Sequence, residues 1–368
     1  MLLITAFFVL TLKNIAKNIS FRRLDLIFLV FLLVIIYSGV FNSSNILLSL
    51  QYALAFSAQL ILIVIISFYG IKNTTQLKFY FINFFIITLL LVIVSVFYTF
   101  INPSSIVDRG GNIALKGIFH NNNTFSLIIL MCILSLHFLK TISSKGNLLV
   151  RKKSFFYFPQ FFLFVVLVLT SSRSAVVAVL IFYILIFFIN SKRWMEYFYM
   201  ASLVILALII YKYMGLQELL LKYFRIGDNT TDPLSSRGIL LDIVVNSSDS
   251  IPLNGLGVGM QGDLWRFINS NNLGGLIDFG FHNSFLQVLI EMGPLGIFIF
   301  IFILVSMFFK KRHFILNGSE FLVLKSMILS LSVSGFFESS LILAGSPLSF
   351  YYWFLILFAL IPEKQTKG

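Results

Sequence analysis

The chain has 368 residues, of which 59% are hydrophobic and only 11% are charged, and its mean hydropathy is +0.97. Soluble globular proteins are about half apolar and about a quarter charged, so this composition excludes an ordinary soluble domain. The net charge of +13 does not predict a nucleic-acid partner, because in a membrane protein the position of the basic residues matters more than their sum. The single cysteine, Cys132, excludes an internal disulfide and a cysteine-based metal site.

Apolar runs long enough to cross a bilayer follow one another along the chain. A membrane helix needs roughly 20 apolar residues, and the short alternating segments of a barrel are absent from the sequence. The predicted fold is therefore an all-α polytopic membrane protein with about 10–11 transmembrane helices, forming a single membrane domain over residues 1–368. Residues 1–12 form either an interfacial helix or an additional crossing. The clear predicted spans are 24–41, 46–69, 79–100, 117–139, 155–170, 174–190, 197–214, 284–309, 320–342 and 347–362.

The basic residues predict the orientation of these spans. Most Lys and Arg residues fall in alternate connections, near 13–23, 72–78, 140–153, 192–193, 310–312 and 364–367. The positive-inside rule assigns these connections, and both termini, to the cytoplasm. The opposite face receives the one long connection, loop 215–283. Because a loop of that length in a compact bundle is usually functional, we expect the chemistry on the extracytoplasmic face, where ATP and nucleotide sugars are absent.

A polar pair, His282 and Asn283, stands where this loop re-enters the membrane. Histidine exchanges a proton near neutral pH, so the pair is either a general base with a hydrogen-bonding neighbour or a polar end to a helix. Nine residues separate the pair from Gly293, and two residues separate Gly293 from Gly296. Small residues at such positions are expected to allow close helix packing.

This spacing resembles the signature of the O-antigen ligase and O-antigen polymerase superfamily of bacterial membrane glycosyltransferases. The resemblance extends over about residues 117–342, and it implies a metal-independent enzyme without a cofactor. Such an enzyme transfers a glycan from undecaprenyl diphosphate to a second sugar hydroxyl, and His282 would match the family's proposed base. Other stretches similar to family motifs are GIFHNNN at 117–123, TSSRS at 170–174, RGILL at 237–241 and GLGVG at 255–259.

Arginines are the residues expected to stabilise the diphosphate leaving group of such a reaction. Arginine stays charged and makes bidentate contacts to phosphate. Arg173 and Arg237 are the predicted catalytic arginines, and Arg266 and Arg109 are predicted to assist in substrate binding. The alternative for Arg173 is a side chain that snorkels to the interface, but its place between two serines on the extracytoplasmic side runs against the positive-inside bias.

Polar side chains near the outer ends of the spans complete the predicted site. Glu291 and Glu338 are ionisable groups within or near spans, where burial is costly and often functional. Glu338 either orients an arginine or the acceptor sugar, or forms a structural ion pair. Asn123 either lines the cavity or caps its span. We therefore expect Asn283, Asn123 and Glu338 to contact substrate.

Three activities remain open at the level of sequence. The preferred one is a polymerase that joins lipid-linked repeat units of an O-antigen, capsule or exopolysaccharide. A ligase, which transfers the finished glycan to lipid A core or another acceptor, fits the motif equally well. A transporter or flippase of lipid-linked sugars would break no bond, but the chain lacks the two similar halves typical of transporters. The expected partners are an undecaprenyl-diphosphate-linked oligosaccharide, a glycan acceptor, the bilayer of the bacterial inner membrane, a chain-length regulator and a flippase, without nucleic acid.

Overall fold

A computed structural model of the chain describes residues 23–41, 43, 45–102, 105–109, 112–143, 154–190, 251–259, 283–310, 313 and 315–361. This part of the chain contains nine α-helices and one antiparallel β-hairpin. The helices are α1 (Arg23–Phe41), α2 (Ile46–Ile65), α3 (Thr74–Ile101), α4 (Asn122–Ser143), α5 (Ser154–Leu169), α6 (Arg173–Asn190), α7 (Ser284–Phe309), α8 (Gly318–Gly335) and α9 (Pro347–Leu360). A π-helical turn, Ile66–Gly70, extends α2, and the hairpin of β1 (Ile106–Arg109) and β2 (Asn112–Leu115) precedes α4.

The predicted all-α polytopic membrane fold is confirmed. Among the described residues, four helices are long and apolar enough to cross a membrane: Ile46–Phe68, Thr74–Ile101, Asn122–Ser143 and Ser284–Phe309. Shorter apolar helices accompany them, and in an apolar medium a helix satisfies its own backbone polar groups. Each predicted span except 197–214 coincides with a described helix. That span, residues 1–12 and most of loop 215–283 lie outside the described residues, so the single-domain organisation stays a prediction.

The span predicted over 117–139 begins later than expected. Helix α4 starts at Asn122, because the preceding chain turns at Gly117, whose φ is +59°. The side chain of Asn121 then accepts a hydrogen bond from the N–H of Thr124 at 2.7 Å. This cap marks the helix start, which the continuous apolar pattern of the sequence did not reveal.

The span predicted over 320–342 ends earlier than expected. Helix α8 stops at Gly335, and the chain then leaves the helical path as a connection over residues 336–346. In that connection the N–H of Leu341 donates to the hydroxyl of Ser284 at 3.2 Å, so a contact with α7 replaces a helical hydrogen bond. The connection therefore lies against the first turn of α7.

Asparagine side chains begin five of the described helices. The first N–H groups of a helix have no partner within it, and an asparagine Oδ1 that accepts from them removes this deficit. Asn283 does this for α7, so one predicted substrate-binding residue also has a structural role. The five asparagines, with donor–acceptor distances of 2.7–3.2 Å, are Asn45, Asn73, Asn121, Asn283 and Asn317.

Helix α9 forms the centre of the bundle. Its residues 351–360 are all buried, and Trp353 packs against aromatic rings from three other helices. Those rings belong to Phe31, Phe56 and Phe300, with centroid separations of 5.5–6.1 Å. The indole N–H of Trp353 donates to the carbonyl of Leu341 at 3.0 Å. The central helix thereby fixes the connection that follows α8.

Candidate functional site

Three helix N-termini and the connection after a fourth helix meet at one end of the bundle. Helix α4 begins at Asn122, α6 at Arg173 and α7 at Ser284, while Glu338 lies just beyond the end of α8. Side-chain hydrogen bonds link these segments to one another. We call this region, built around these four residues and their sequence neighbours, the polar end.

Two predicted substrate-binding residues contact each other at the polar end. The amide of Asn123 donates to Oε1 of Glu338 at 2.6 Å, and Glu338 is buried with 8% of its surface exposed. The hydroxyl of Ser284 donates to the backbone carbonyl of Glu338 at 2.6 Å. Because Asn283 directly precedes Ser284, the first turn of α7 brings three predicted site residues into one neighbourhood. The sequence-level alternative for Asn123 is wrong, since Asn121 rather than Asn123 caps α4.

The turn before α6 holds Arg173 at the same end. The amide of Asn122 donates to the carbonyl of Thr170 at 2.7 Å, and this bond ties the turn to α4. Ser171 has φ +53°, a left-handed conformation that is unfavourable for a residue with a side chain. Arg173 follows as the first residue of α6 and is partly buried. Strain of this kind is found at functional sites, where surrounding contacts maintain it.

Helix α7 is broken in its middle. Gly293 has φ +71° and ψ −175°, and Pro294 follows it. Proline has no N–H and its ring clashes with the carbonyl of the residue four positions earlier, so the helical ladder is interrupted at Ile290. The break lies about 14 Å along the helix from Ser284, at the rise of ~1.5 Å per residue.

A loop from before α7 supplies the partners that the break removes. Residues 251–259, which we call the glycine loop, pack beside Gly293 and bond to the main chain on both sides of it. Irregular backbone inside a membrane protein is tolerated where protein groups satisfy it, and these bonds do so. The pairs, donor first, are Leu256 to Ile290 (2.8 Å), Gly257 to Glu291 (3.1 Å) and Leu295 to Leu253 (3.2 Å).

The glycines of this contact have no room for a side chain. A Cβ added at Gly293 would overlap with Leu253 and Gly255, and one added at Gly255 would overlap with the backbone of Glu291. Both glycines also have positive φ. The close approach expected at Gly293 therefore occurs, but it involves the backbone of the glycine loop instead of a neighbouring helix.

A cavity of about 100 Å³ lies beside the break. We call it the side cavity. Its polar groups are Gln287 and Glu291, one helical turn apart and joined by a hydrogen bond of 2.9 Å from Nε2 to Oε1. Both are buried, with 2% and 1% of their surface exposed. The lining residues are Tyr52, Phe56, Val258, Gly259, Gln287, Glu291, Ile342, Leu343 and Ala344.

Sequence reasoning recognised Glu291 as an ionisable group within a span but did not assign it to the site. The four-residue spacing between Gln287 and Glu291 was the available signal, because residues at this spacing share one helical face. Tyr52 carried no signal, since it comes from a helix more than two hundred residues away in the chain. Ser284 and Asn122 were also missed, because a single serine or asparagine at a span boundary is common.

Four predicted site residues receive no side-chain description. His282, Arg237 and Arg266 lie outside the described residues. Arg109 ends β1 and pairs with Asn112 across the hairpin, but its side chain is not described. Their predicted roles stay predictions. Within the described residues, no three His, Cys, Asp or Glu side chains are grouped as a metal site would require.

Comparison with known proteins finds a similarity to one family. Residues 158–301 match the family model described as O-antigen ligase. Over this part of the chain, which is less than half of it, the sequence is similar to the O-antigen polymerase and ligase superfamily. Members of this superfamily are glycosyltransferase-like enzymes, and the matched range includes Arg173, Arg237, Arg266 and His282. No curated protein and no solved structure matches the chain.

The polar end extends beyond the matched range. Arg173 and Ser284 lie within residues 158–301, whereas Asn123 and Glu338 lie outside them. The hydrogen bonds from Asn123 and Ser284 to Glu338 join the two groups. A site assigned from the matched segment alone would omit the helix N-terminus of α4 and the connection after α8.

Proposed function

We propose that this protein is an extracytoplasmic glycosyltransferase that polymerises undecaprenyl-diphosphate-linked repeat units of a bacterial surface polysaccharide. The observation that carries the proposal is the convergence of three helix N-termini with Arg173 at the polar end. Each helix N-terminus carries a partial positive charge of about half a unit and exposes N–H groups. An anionic diphosphate at the membrane surface is a ligand that this arrangement favours.

The position of Arg173 supports an anionic ligand. A cation at the first residue of a helix is unfavourable, because the side chain and the helix N-terminus have the same sign. The left-handed Ser171 two residues earlier adds conformational strain. A bound diphosphate would offset the repulsion, so Arg173 is the proposed stabiliser of the leaving group. Arg237 is proposed to act with it, and Arg266 and Arg109 to bind the headgroup.

The proposed reaction needs no metal and no cofactor. His282 takes the proton of an acceptor hydroxyl as that oxygen attacks the anomeric carbon of the donor sugar. The bond between the anomeric carbon and the diphosphate oxygen breaks, and undecaprenyl diphosphate leaves with the bonding electrons. The cap made by Asn283 orders the helical turn that follows His282. Glu338, which Asn123 holds by a hydrogen bond, is proposed to accept a hydrogen bond from a substrate sugar.

A ligase is the second candidate, because the matching family model carries that description. The same residues would act in the same roles, but the acceptor would be lipid A core or another carrier instead of a lipid-linked repeat unit. In both cases the basic residues near Lys310 are proposed to face the cytoplasm of the inner membrane. A flippase that supplies the donor and a chain-length regulator are the proposed partners.

The test is the length and the anchor of the surface glycan in a strain that lacks the gene. A polymerase predicts single repeat units on the normal acceptor in this strain. Long chains that accumulate on undecaprenyl diphosphate would instead identify a ligase. Repeat units that remain lipid-linked on the cytoplasmic face, with no glycan at the surface, would identify a transporter and overturn the proposal.

Variants of His282 test the proposed base in the same strain. His282→Ala and His282→Gln are both expected to lower glycan extension by about 10²–10⁴-fold, the usual contribution of general acid–base catalysis. Equal amounts of wild-type and variant protein in the membrane provide the control. Normal glycan from His282→Ala would show that His282 is not the base.

A further inference from the structure

The side cavity is a second polar feature of the extracytoplasmic half, distinct from the Asn123–Glu338 pair. Resting on the proposed function, we propose that the side cavity binds one sugar residue of the lipid-linked glycan through its hydroxyl groups. The ligand class is a neutral sugar ring, which offers O–H donors at its edge and C–H groups on its faces. The polar groups, the walls and the location of the cavity each support this ligand.

One polar group of the cavity, the side-chain oxygen of Gln287, needs a hydrogen-bond donor. Gln287 is 98% buried (2% exposed), and its Nε2 donates to Glu291. In the part of the chain that the structure describes, its Oε1 has no hydrogen-bond donor. Buried acceptors are nearly always paired, so an acceptor that lines a cavity is well placed to receive a donor from a ligand. A sugar hydroxyl is such a donor.

The hydrogen-bonding groups of the cavity select among ligands. Glu291 contributes a carboxyl group beside the amide oxygen of Gln287, so the polar wall consists mainly of acceptors. A diphosphate also presents acceptor oxygens, which find few donors on this wall, so it is disfavoured there. A neutral molecule with several hydroxyl donors matches it. The diphosphate therefore belongs at the polar end near Arg173, and the sugar belongs in the side cavity.

The remaining walls suit the faces of a sugar ring. Phe56, Val258 and Ile342 are buried apolar residues, and the half-exposed Tyr52 stands at the opening with 40% of its surface accessible. The volume of about 100 Å³ restricts the ligand to a single small ring. The ring of Tyr52 can cover the C–H face of a sugar while Gln287 and Glu291 accept hydrogen bonds from the hydroxyl groups at the edge of that sugar.

The walls are fixed before any ligand binds. The hydroxyl of Ser49 donates to the carbonyl of Val258 at 2.9 Å, which ties the glycine loop to α2. The N–H of Gly345 donates to Oε1 of Gln59 at 2.8 Å, which ties the connection over residues 336–346 to the same helix. A preorganised site loses little conformational entropy on binding, so weak individual contacts are sufficient.

The location connects the cavity with the reaction. Gln287 lies one helical turn after Asn283, about 6 Å along α7, and the proposed base His282 directly precedes Asn283. A sugar in the cavity would therefore lie within one or two sugar units of the reacting hydroxyl. Both the donor glycan and the acceptor glycan present sugar hydroxyls, so the experiment has to distinguish them.

Protection of an introduced cysteine measures occupancy directly. Leu343 lines the cavity and is 45% exposed, whereas the native Cys132 is fully buried. We would measure the rate at which a polar thiol reagent modifies Leu343→Cys in the full-length protein in nanodiscs. The probes are the lipid-linked glycan from the deletion strain, the oligosaccharide released from it by mild acid, and undecaprenyl phosphate. The glycan and the free oligosaccharide are expected to slow modification at least about tenfold at concentrations well above their dissociation constants.

Two variants serve as controls for that measurement. Leu322→Cys, at a residue of α8 that is 44% exposed and outside the cavity lining, should be modified at the same rate with every probe. Gln287→Met preserves volume but removes the acceptor, so protection by the free oligosaccharide should disappear. Protection by undecaprenyl phosphate alone would overturn the proposal, because the cavity would then hold the isoprenoid chain. Absence of protection by any probe would also overturn it.

A cavity-filling variant keeps the test valid if Gln287→Met does not fold. Leu343→Trp fills the cavity from an exposed position and should raise KM at least about tenfold while kcat changes little, the pattern of lost substrate binding. A higher KM for a soluble acceptor oligosaccharide would assign the cavity to the acceptor, and a higher KM for the lipid-linked donor alone would assign it to the donor. Unchanged KM for both substrates, equal to that of Leu322→Trp, would overturn the proposal.

The outcomes of the two tests are distinguishable. If the deletion strain makes normal glycan, the proposed function itself fails. If glycan synthesis depends on the protein but neither protection nor KM responds at Leu343, only the sugar site fails. Full activity of Leu343→Trp with an unchanged KM would thus leave the glycosyltransferase proposal intact.

Discussion

The two ends of the helix bundle satisfy their polar groups in different ways. At the end marked by Lys310, basic side chains donate to helix C-terminal carbonyls. Lys310 Nζ contacts the carbonyl of Ala359 at 2.9 Å, and Lys325 Nζ contacts that of Phe308 at 2.8 Å. Such pairing neutralises the last carbonyls of a helix and the negative end of its dipole. At the polar end, amide and hydroxyl side chains connect helix N-termini. The dipoles of these helices produce a positive electrostatic potential there.

A histidine at the Lys310 end also forms hydrogen bonds with the main chain. His313 lies in the connection between α7 and α8, where its Nε2–H donates to Phe358 at 2.9 Å and its Nδ1 accepts from the N–H of Ile315 at 3.2 Å. The polar groups of Lys310, Lys325 and His313 are therefore used within the fold. The polar end and its adjoining side cavity instead retain a buried acceptor, a strained turn and a broken helix. This contrast supports the proposal that substrate binds at the polar end.

The largest expected effect comes from Gly293→Ala, at the contact between α7 and the glycine loop. The added Cβ would overlap with Leu253, and φ is +71°, so we expect a loss of more than about 3 kcal/mol of stability from overpacking and strain together. Thermal unfolding of the detergent-purified protein measures this loss.

Substitutions at two other glycines distinguish the steric overlap from the backbone strain as causes of that loss of stability. Gly345→Ala has φ +76° but open space around its Cβ, so it should lose about 1–2 kcal/mol. Gly318→Ala, with open space and no positive φ, should lose nothing measurable. If Gly293→Ala were as stable as Gly318→Ala, the glycine loop would not fill the helix break in the way described.

The next largest effect is expected at the Asn123–Glu338 pair. Asn123→Asp would oppose two carboxyl groups where a hydrogen bond of 2.6 Å now exists, and a buried unsatisfied charge costs about 1–3 kcal/mol or more. Glycan extension per folded protein should fall about tenfold or more.

The double variant Asn123→Asp with Glu338→Gln restores a hydrogen bond between an acid and an amide. It tests whether the geometry of the pair or the position of its charge determines activity. Activity of the double variant no higher than that of Asn123→Asp alone would contradict a direct pair.

A smaller effect is expected at the Lys310 end. Lys310→Met removes the cation that contacts the carbonyls of Ala359 and Ile361, so it should lower stability by about 1–2 kcal/mol. Activity per folded molecule should not change, because the proposed chemistry occurs at the opposite end. Loss of activity in molecules that remain fully folded would show that the two ends are coupled.

The effect expected at His313 is a pH dependence of stability that is confined to acidic solution. Burial lowers the pKa of His313 from 6.5 to about 4. The unfolded chain therefore binds the proton more readily, so this contribution to stability is complete above about pH 6.5 and declines as the pH falls towards 4. His313→Gln can still donate to Phe358 but does not titrate. Its melting temperature should decline less between pH 6.5 and pH 4, and an unchanged pH profile would contradict a neutral His313.

The sequence predicted the membrane fold because apolar runs of about 20 residues are typical of membrane-spanning helices. It predicted α7 with the observed bounds, since the apolar run between Asn283 and Lys310 is continuous. The break at Gly293 was not predicted, because its main-chain partners come from the glycine loop, which precedes α7 in the chain. A glycine followed by a proline marks a possible break, but the sequence does not identify the segment that satisfies it.

In the candidate site, too, individual residues were predictable from the sequence, whereas their contacts were not. Glu338 and Asn123 were predicted individually, from the cost of an ionisable group near a span and from a family motif. Their contact was not predictable, because 215 residues separate them in the chain. The side cavity was missed for the same reason, since Tyr52, Val258 and Gln287 come from three separate segments. Patterns within one helix are visible in a sequence, whereas the packing between distant segments is not.

The most direct measurement of glycosyl transfer at the polar end is the release of undecaprenyl diphosphate by the purified protein in nanodiscs. With lipid-linked repeat units as substrate, the wild type should release one undecaprenyl diphosphate for each glycosidic bond formed. Arg173→Ala should slow this release by about 10²-fold or more at equal amounts of folded protein, the usual effect of removing one transition-state charge contact. Equal rates for Arg173→Ala and the wild type, or glycan movement across the membrane without release, would contradict transfer at this site.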